Sequence, residues 1–312
     1  MPATVARFRS NGKVLLSGEY LVMFGTRALA LPARFGQTLE VSAESGEKAI
    51  HWEAFENGRG WFSASFSYSP WQILETGNFP VAVHLMGILE AAAALNPAAF
   101  SHQVGYHVKT GLEFDRSWGL GSSSTLLSNI AWWLDIDPYV LLHNVTPGSG
   151  YDIAAARSNQ SIIYTWHEGK AIVREARFHP PFRDRLVFIY LGNKQDTRES
   201  IGRMLRRRKP GLELIQAVSS CTDRMARAAN ITEFEEVARE HESLVASFLG
   251  EKTIGEERFP DFPGMVKSLG AWGGDFILAS HGDDQDLVID YFTGKNLRPV
   301  FRYDELILHD LK

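Results

Sequence analysis

The stretch that most restricts what this chain can fold into is Trp118-Gly119-Leu120-Gly121-Ser122-Ser123-Ser124, a glycine-rich turn joined to a run, Thr125 to Leu134, that reads as a buried helix. Leu126, Leu127, Ile130, Ala131 and Leu134 share one face at helical spacing, which predicts Ser122 or Ser123 at the N-cap. Glycines let backbone amides approach a ligand, and a helix start leaves N–H groups without partners, so the stretch is a candidate anion site. Two or three hydroxyls beside those amides can hold phosphate oxygens and supply one magnesium ligand. The competing reading is an ordinary loop with a good cap. There is no Lys after the last glycine, as a Walker A loop requires, and Gly-x-Gly-x-x-Ser lacks the third glycine of a dinucleotide fingerprint.

Length and composition set the frame. With 312 residues, 45% of them hydrophobic, the chain has material for a core and a length that suits two lobes. A formal net charge of -5 with both signs interspersed argues against a nucleic-acid surface; Arg203 to Lys209 is the local exception. Cys221 is the only cysteine, which rules out an internal disulfide, leaves a metal site to oxygen or histidine ligands, and fits a reducing cytoplasm. Val14 to Phe24 contains Glu19, so no signal peptide is read there. The best apolar helix, Val81 to Leu95, carries His84 and Glu90 and is too short to cross a bilayer.

Two further stretches carry chemistry. Asn11-Gly12-Lys13 precedes a strand, Val14-Leu15-Leu16, and Ser17-Gly18-Glu19-Tyr20 follows it, so Lys13 and Glu19 can face one cavity or stand as solvated strand ends. Pro147-Gly148-Ser149-Gly150-Tyr151-Asp152 opens another helix with a carboxylate in its first turn, where the helix dipole favours the ionised form. Asp152 there can accept a proton from a hydroxyl nucleophile, orient it, or simply cap the helix. Elsewhere Leu39 to Ala43 reads as a strand, Ala49 to Phe55 and Trp61 to Tyr68 as a hairpin with one wet face, Gln103 to Lys109 and Ser161 to Trp166 as strands, and Asp137 to Asn144 as a short helix. After the strand Leu186 to Leu191 the chain turns helical: Gly211 to Ala229 is followed by a helix through Leu249 that Thr232-Glu233-Phe234-Glu235 opens as a capping box. A third glycine turn, Lys267 to Asp275, precedes the strand Phe276 to Ser280, and a helix from Gln285 to Thr293 with a strand from Pro299 to Leu308 completes a βαβ-like end.

In this order the motifs Gly-Lys-x-x-x-x-Gly-Glu-Tyr, Gly-Leu-Gly-Ser-Ser, Gly-Ser-Gly-Tyr-Asp-Ile-Ala and Lys-x-x-Gly-Ala-x-Gly-Gly-Asp resemble those of the GHMP kinases, over nearly the whole chain. Glu19-Tyr20, Gly148 to Ala154 and Gly273-Gly274-Asp275 lean towards the phosphomevalonate kinases over the mevalonate kinases, and Val187 to Ser200 looks like the start of their C-terminal lobe. The resemblance implies an α+β, two-lobed fold: an N-terminal ribosomal-protein-S5-like lobe that binds ATP, residues 1–180, and a C-terminal ferredoxin-like lobe, residues 181–312. It implies a cytoplasmic kinase that uses ATP and Mg²⁺, acts on phosphomevalonate or mevalonate, binds neither nucleic acid nor membrane, and is a monomer or homodimer.

By the same resemblance Gly119, Leu120, Gly121, Ser122, Ser123 and Ser124 wrap the ATP phosphates, with Ser123 on the metal. Asp152 is the base or orienting carboxylate, and Lys13 pairs with it and stabilises the transferred phosphoryl group. Glu19, Tyr20, Gly150, Lys194, Arg198, Gly270, Ala271, Gly273 and Gly274 line the acceptor side. Trp272 stands where the third motif has glycine, which implies a wider turn or a smaller pocket. The segment between Ser124 and Gly148 has no carboxylate where mevalonate kinases place a second magnesium ligand, since Asp135 and Asp137 lie roughly 18 Å along the helix from Ser123 at 1.5 Å per residue. Two other classes stay open: an inactive nucleotide-binding relative, and a serine hydrolase built on Ser122, His143 and Asp152, which lacks a Gly-x-Ser-x-Gly elbow.

Overall fold

The computed structural model describes residues 5–45, 48–100, 104–176, 178–192, 209–270, 272, 274–282 and 284–309. It divides into two compact units, each assembled from separate segments: residues 1–12, 35–116 and 121–157 form one, and 13–34, 117–120 and 158–312 the other. The strands β1 (Val5–Ser17) and β2 (Ala28–Ser45) contribute residues to both.

In the first unit the sheet runs β5-β4-β3-β6-β2, with β3 Ala49–Glu56, β4 Arg59–Tyr68, β5 Trp71–Thr76 and β6 Val104–Leu112. Asn57 and Gly58 join β3 to β4 with φ of 49° and 77°, a turn whose twist matches the strands it connects. Alternation buries Phe62, Ala64, Phe66 and Tyr68 and leaves the serines between them on the other face. Against the buried face pack α1 (Phe79–Leu95), α2 (Ser122–Trp133) and α3 (Pro138–Val145), joining Trp52, Phe66, Leu89, Val108, Ile130 and Leu141 in one core. The Asn78 side chain accepts from Val81 N–H to cap α1, and Asp137 accepts from Tyr139 and Val140 to cap α3. A six-residue helix, α4 (Tyr151–Ala156), completes the unit.

The second unit pairs Ala28–Ala30 of β2 with β7 (Ile162–His167), and β7 with β8 (Lys170–Glu175). Its separate antiparallel sheet has the order β10-β11-β9-β12, with β9 Val187–Tyr190, β10 Met265–Leu269, β11 Phe276–Ser280 and β12 Val300–Arg302. Both β11 and β12 run antiparallel to β9, so they are parallel to each other and α8 (Gln285–Gly294) joins them as a split βαβ unit. Three more helices are α5 (Leu212–Arg227), α6 (Ile231–Leu249) and α7 (Ile254–Arg258).

Several expectations are corrected. The cap of α6 is Asn230, whose side chain accepts from Glu233 N–H at 2.9 Å while Glu233 accepts from Ala229 N–H, so Thr232 is inside the helix. A complete capping box stands instead at Thr253 and Glu256, opening α7. The strand expected from Pro299 to Leu308 stops at Arg302, because Arg302 N–H bonds Glu305 and starts a single helical turn, α9 (Tyr303–Leu306). Lys267 lies within β10, not in the glycine turn that follows it.

Candidate functional site

Gly121, with φ of 92°, is the N-cap of α2, and no side chain caps the helix. The expectation of a serine cap is thus overturned: the left-handed backbone that turns the chain into the helix is one that glycine adopts without strain. Ser124 is buried and its hydroxyl donates back to the Gly121 carbonyl at 2.8 Å. Ser122 is half-buried and Ser123 exposed. The rest of the helix's polar side is fixed inside this unit: Thr125 Oγ1 donates to Gln37 Oε1 at 2.6 Å, Asn129 Nδ2 to the Gln37 carbonyl at 2.8 Å, and Ser10 Oγ to Asn129 Oδ1 at 2.8 Å. Buried polar groups on a helix are tolerable only when partnered in this way, and the result is a helix start locked to the sheet beneath it.

The second helix start, which does carry a carboxylate, also has a left-handed glycine as its N-cap. Gly150 caps α4 with φ of 83°, and Asp152 stands half-buried in the first turn, its Oδ1 accepting from Ile153 N–H at 3.2 Å. His143 Nε2 pairs with the Gly148 carbonyl at 3.2 Å.

Within the second unit, Lys13 is held on the loop segment 117–120. Its backbone N–H bonds the Leu120 carbonyl at 2.9 Å, and its Nζ donates to the Gly119 carbonyl at 2.9 Å. On Gly119 itself φ is +67°, and a Cβ added there would fall onto the Asp275 carboxylate. Position 119 therefore needs glycine for two reasons, the backbone angle and the acid packed against it. Tyr190 OH donates to the Ser117 carbonyl at 3.1 Å, so this segment is pinned at each end.

Glu19 is neither a solvated strand end nor a surface ligand. It is fully buried, with Oε1 2.5 Å from Lys267 Nζ and Oε2 3.4 Å from His241 Nε2. Burial pushes its carboxyl up to about 7, against the lowering pull of Lys267. His241, also fully buried, accepts the Gly18 N–H at Nε2, and desolvation, helped by the Lys267 charge, holds it well below the usual histidine range. Glu242 completes the cluster, accepting the Ser268 N–H at 3.1 Å, its carboxyl raised by burial. Tyr20 follows with φ of 57° and its hydroxyl accepts the Trp272 N–H at 2.8 Å. Trp272, read as a possible change in the turn, packs with Tyr20, Leu21, Val218, Val245 and Ala246: its bulk goes into the core.

Gly270 is half-buried and Gly274 buried at the end of β10 and the start of β11. Lys194, Arg198, Ala271 and Gly273 lie outside the described residues, as does the basic run except for Lys209. His241 and Glu242 escaped the sequence reading, although a signal was available: both sit in the apolar stripe of α6 with Phe234, Val237, Ala238 and Val245. A charged or polar residue in such a stripe calls for a buried partner.

The mixed α/β fold, a large sheet and a second sheet with its split βαβ unit, is that of solved GHMP-type kinases. Among solved structures that share it, mevalonate kinase of L. major in complex with R-mevalonate has 13% identity, covering 99% of this chain and 97% of that one, at a TM-score of 0.69. Phosphomevalonate kinase of Streptococcus pneumoniae, in complex with phosphomevalonate and AMPPNP, has 12% identity over 95% of this chain and 99% of that one, TM-score 0.71. Galactokinase of Lactococcus lactis complexed with galactose has 15% identity over 95% and 92%, TM-score 0.61. No protein-family model and no curated protein sequence matches the chain.

Proposed function

We propose that the chain is an ATP-dependent GHMP-type kinase, with phosphomevalonate as the first candidate acceptor and mevalonate the second. The observation that carries the proposal is the bond from Lys13 Nζ to the Gly119 carbonyl, which fixes an ammonium on the first glycine of the loop leading into the serine helix. A positive charge held at an anion-binding loop is what phosphoryl transfer asks of a protein, since catalysis there is mostly positioning and charge stabilisation. In this reading the amides of the first turn of α2 and the Ser122 and Ser123 hydroxyls take phosphate oxygens. Lys13 offsets charge on the transferred group. Asp152 orients the attacking oxygen, or accepts its proton when the acceptor is an alcohol.

Magnesium fits the same loop. The Ser122 and Ser123 hydroxyls make no hydrogen bond among the described residues, and Mg²⁺ bound with a nucleotide needs few protein oxygens because phosphate and water complete its shell. Among the described residues no group of three His, Cys, Asp or Glu is placed to hold a metal ion, and Ser123 is the protein ligand we assign. When bound, the ion would neutralise charge on the phosphate oxygens. No helix among the described residues is long and apolar enough to cross a membrane.

An ATP-consumption screen over phosphomevalonate, mevalonate, homoserine and simple sugars tests the reading. Turnover with one of the first two, abolished by Lys13→Met, supports it. Mg-ATP binding without turnover of any acceptor would return the chain to an inactive nucleotide-binding relative, and no binding at all would remove both.

A further inference from the structure

Arg157 stands at the C-cap of α4, five residues beyond Asp152. Its Nε donates to Ser128 Oγ at 3.0 Å and its Nη2 to the Ser128 carbonyl at 3.1 Å. The same guanidinium lies over the Trp132 ring, 4.5 Å from its centroid. Ser128 and Trp132 are one turn apart on α2, hence on one face, so a single planar cation grips two successive turns of the helix that begins at the serine loop.

The grip matters because α4 can do little to place itself. Six residues are too few for a helix to hold by its own hydrogen bonds. Its buried side, Ile153, Ala154, Ala155 and Ala156, is mostly methyl groups. Such small side chains let the helix come close but set no register, since apolar contact is not directional. A guanidinium fork is directional, and Lys could not copy both of its bonds. Tyr139 in α3 reports the same neighbourhood: desolvation raises its hydroxyl to about 12, and the charges of Arg157, Asp137 and Asp152 all act on it.

The geometry points to Arg157 as a positioning residue for Asp152: by holding Ser128 and Trp132 it fixes where the first turn of α4 presents its carboxylate relative to the start of α2. This rests on the kinase reading for its functional consequence, though not for its structural one. A displacement of about 1 Å at a reacting group can cost on the order of a hundredfold in rate.

Two measurements test it. Hydrogen exchange needs no activity: in Arg157→Lys the amides of Ala154, Ala155 and Ala156 should exchange about tenfold faster while those of Leu127 to Ala131 keep the wild-type rate. Unchanged exchange in α4 would overturn the inference whatever the chain's activity. With the acceptor found by the screen, Arg157→Ala should lower kcat by about ten- to a hundredfold, leave the Kd for Mg-ATP within about threefold, and cause no further loss in an Asp152→Asn background, because a residue that works through Asp152 has nothing left to act on. Equal losses in both backgrounds would overturn it too. If Arg157→Ala does not fold, Arg157→Lys and Ser128→Ala take its place, with smaller losses expected and the same dependence on Asp152. An absence of turnover in the wild type would count against the kinase reading alone, and the exchange result would still decide the positioning role.

Discussion

Lys267 and Glu19, 248 residues apart in the chain, form an ion pair in the interior with Nζ 2.5 Å from Oε1 and both side chains at zero exposure. Lys267 also faces Glu242 at 3.9 Å, and its ammonium donates to the Ser268 carbonyl. Two carboxylates thus share one ammonium beside a neutral histidine. Among the described residues neither Glu19 Oε2 nor His241 Nδ1 has a hydrogen-bond partner. Burial of the carboxylate, with a smaller push from the Glu242 charge, favours a proton on Glu19 and outweighs the opposing pull of Lys267.

That protonation links stability to pH. Glu19 has its folded value raised from 4.5 to about 7, so its contribution is fully present below the unfolded value and fades as pH rises through the folded one. His241, lowered by burial, acts in the opposite sense and loses stability as pH falls below its ordinary 6.5. The two effects separate when wild type is compared with Glu19→Gln. We expect the wild type's stability relative to that variant to decline from about pH 5 to about pH 8 in thermal melts. A constant difference would mean that Glu19 is ionised throughout.

Removing one partner of the pair should be worse than removing both. Lys267→Met leaves two buried carboxylates without their cation, and the expected cost is about 3–5 kcal/mol. Glu19→Gln in addition should recover part of it, because only one buried carboxylate, Glu242, is then left without its cation. Urea unfolding of the singles and the double variant gives the coupling; additive losses would show that the pair does not interact.

The glycine at 119 can be tested through its neighbour. Gly119→Ala has to fit a Cβ where the Asp275 carboxylate stands, at a φ of +67°, and the left-handed backbone alone costs about 1–2 kcal/mol. Mg-ATP affinity should fall at least tenfold by calorimetry. Adding Asp275→Gly clears the space and should restore part of the affinity if the clash dominates, none of it if the backbone angle does.

Local signals in the sequence were enough for the elements that place the loops. Helix periodicity marks α1 and α2, alternation marks β3 and β4, and the strand β11 spans the residues its pattern predicts. Less legible was whatever depends on distant partners. The sheet edges β5 and β8 are largely exposed, and their side chains show no clean alternation. Asn230 takes the cap that Thr232 offered because the chain enters α6 in an extended conformation two residues earlier. Glu19 looks like a strand end on its own; only the approach of β10 and α6 gives it Lys267 and His241. Nothing local in the sequence singles out Arg157, whose partners Ser128 and Trp132 lie 29 and 25 residues earlier in the chain.

Lys13→Met and Asp152→Asn should separate the two chemical roles and, with them, the two candidate acceptors. Lys13 acts on charge that grows as the phosphoryl group transfers, so its loss should depress kcat far more than it weakens ATP binding, for either acceptor. Asp152 depends on the nucleophile. An alcohol such as that of mevalonate must lose a proton as it attacks, and removal of a positioned base should lower kcat by about a hundredfold or more. A phosphate monoester, with its second ionisation near pH 6, is already an anion at neutral pH, and asks Asp152 only to orient it. We therefore expect Asp152→Asn to reduce turnover of phosphomevalonate by a smaller factor than turnover of mevalonate. With phosphomevalonate the remaining activity should also lose no more than the wild type does as pH falls towards 6. Equal and large losses with both acceptors would give Asp152 the same task in each, and an unchanged kcat would remove it from the chemistry and leave it a part of the helix start, where it accepts the Ile153 N–H.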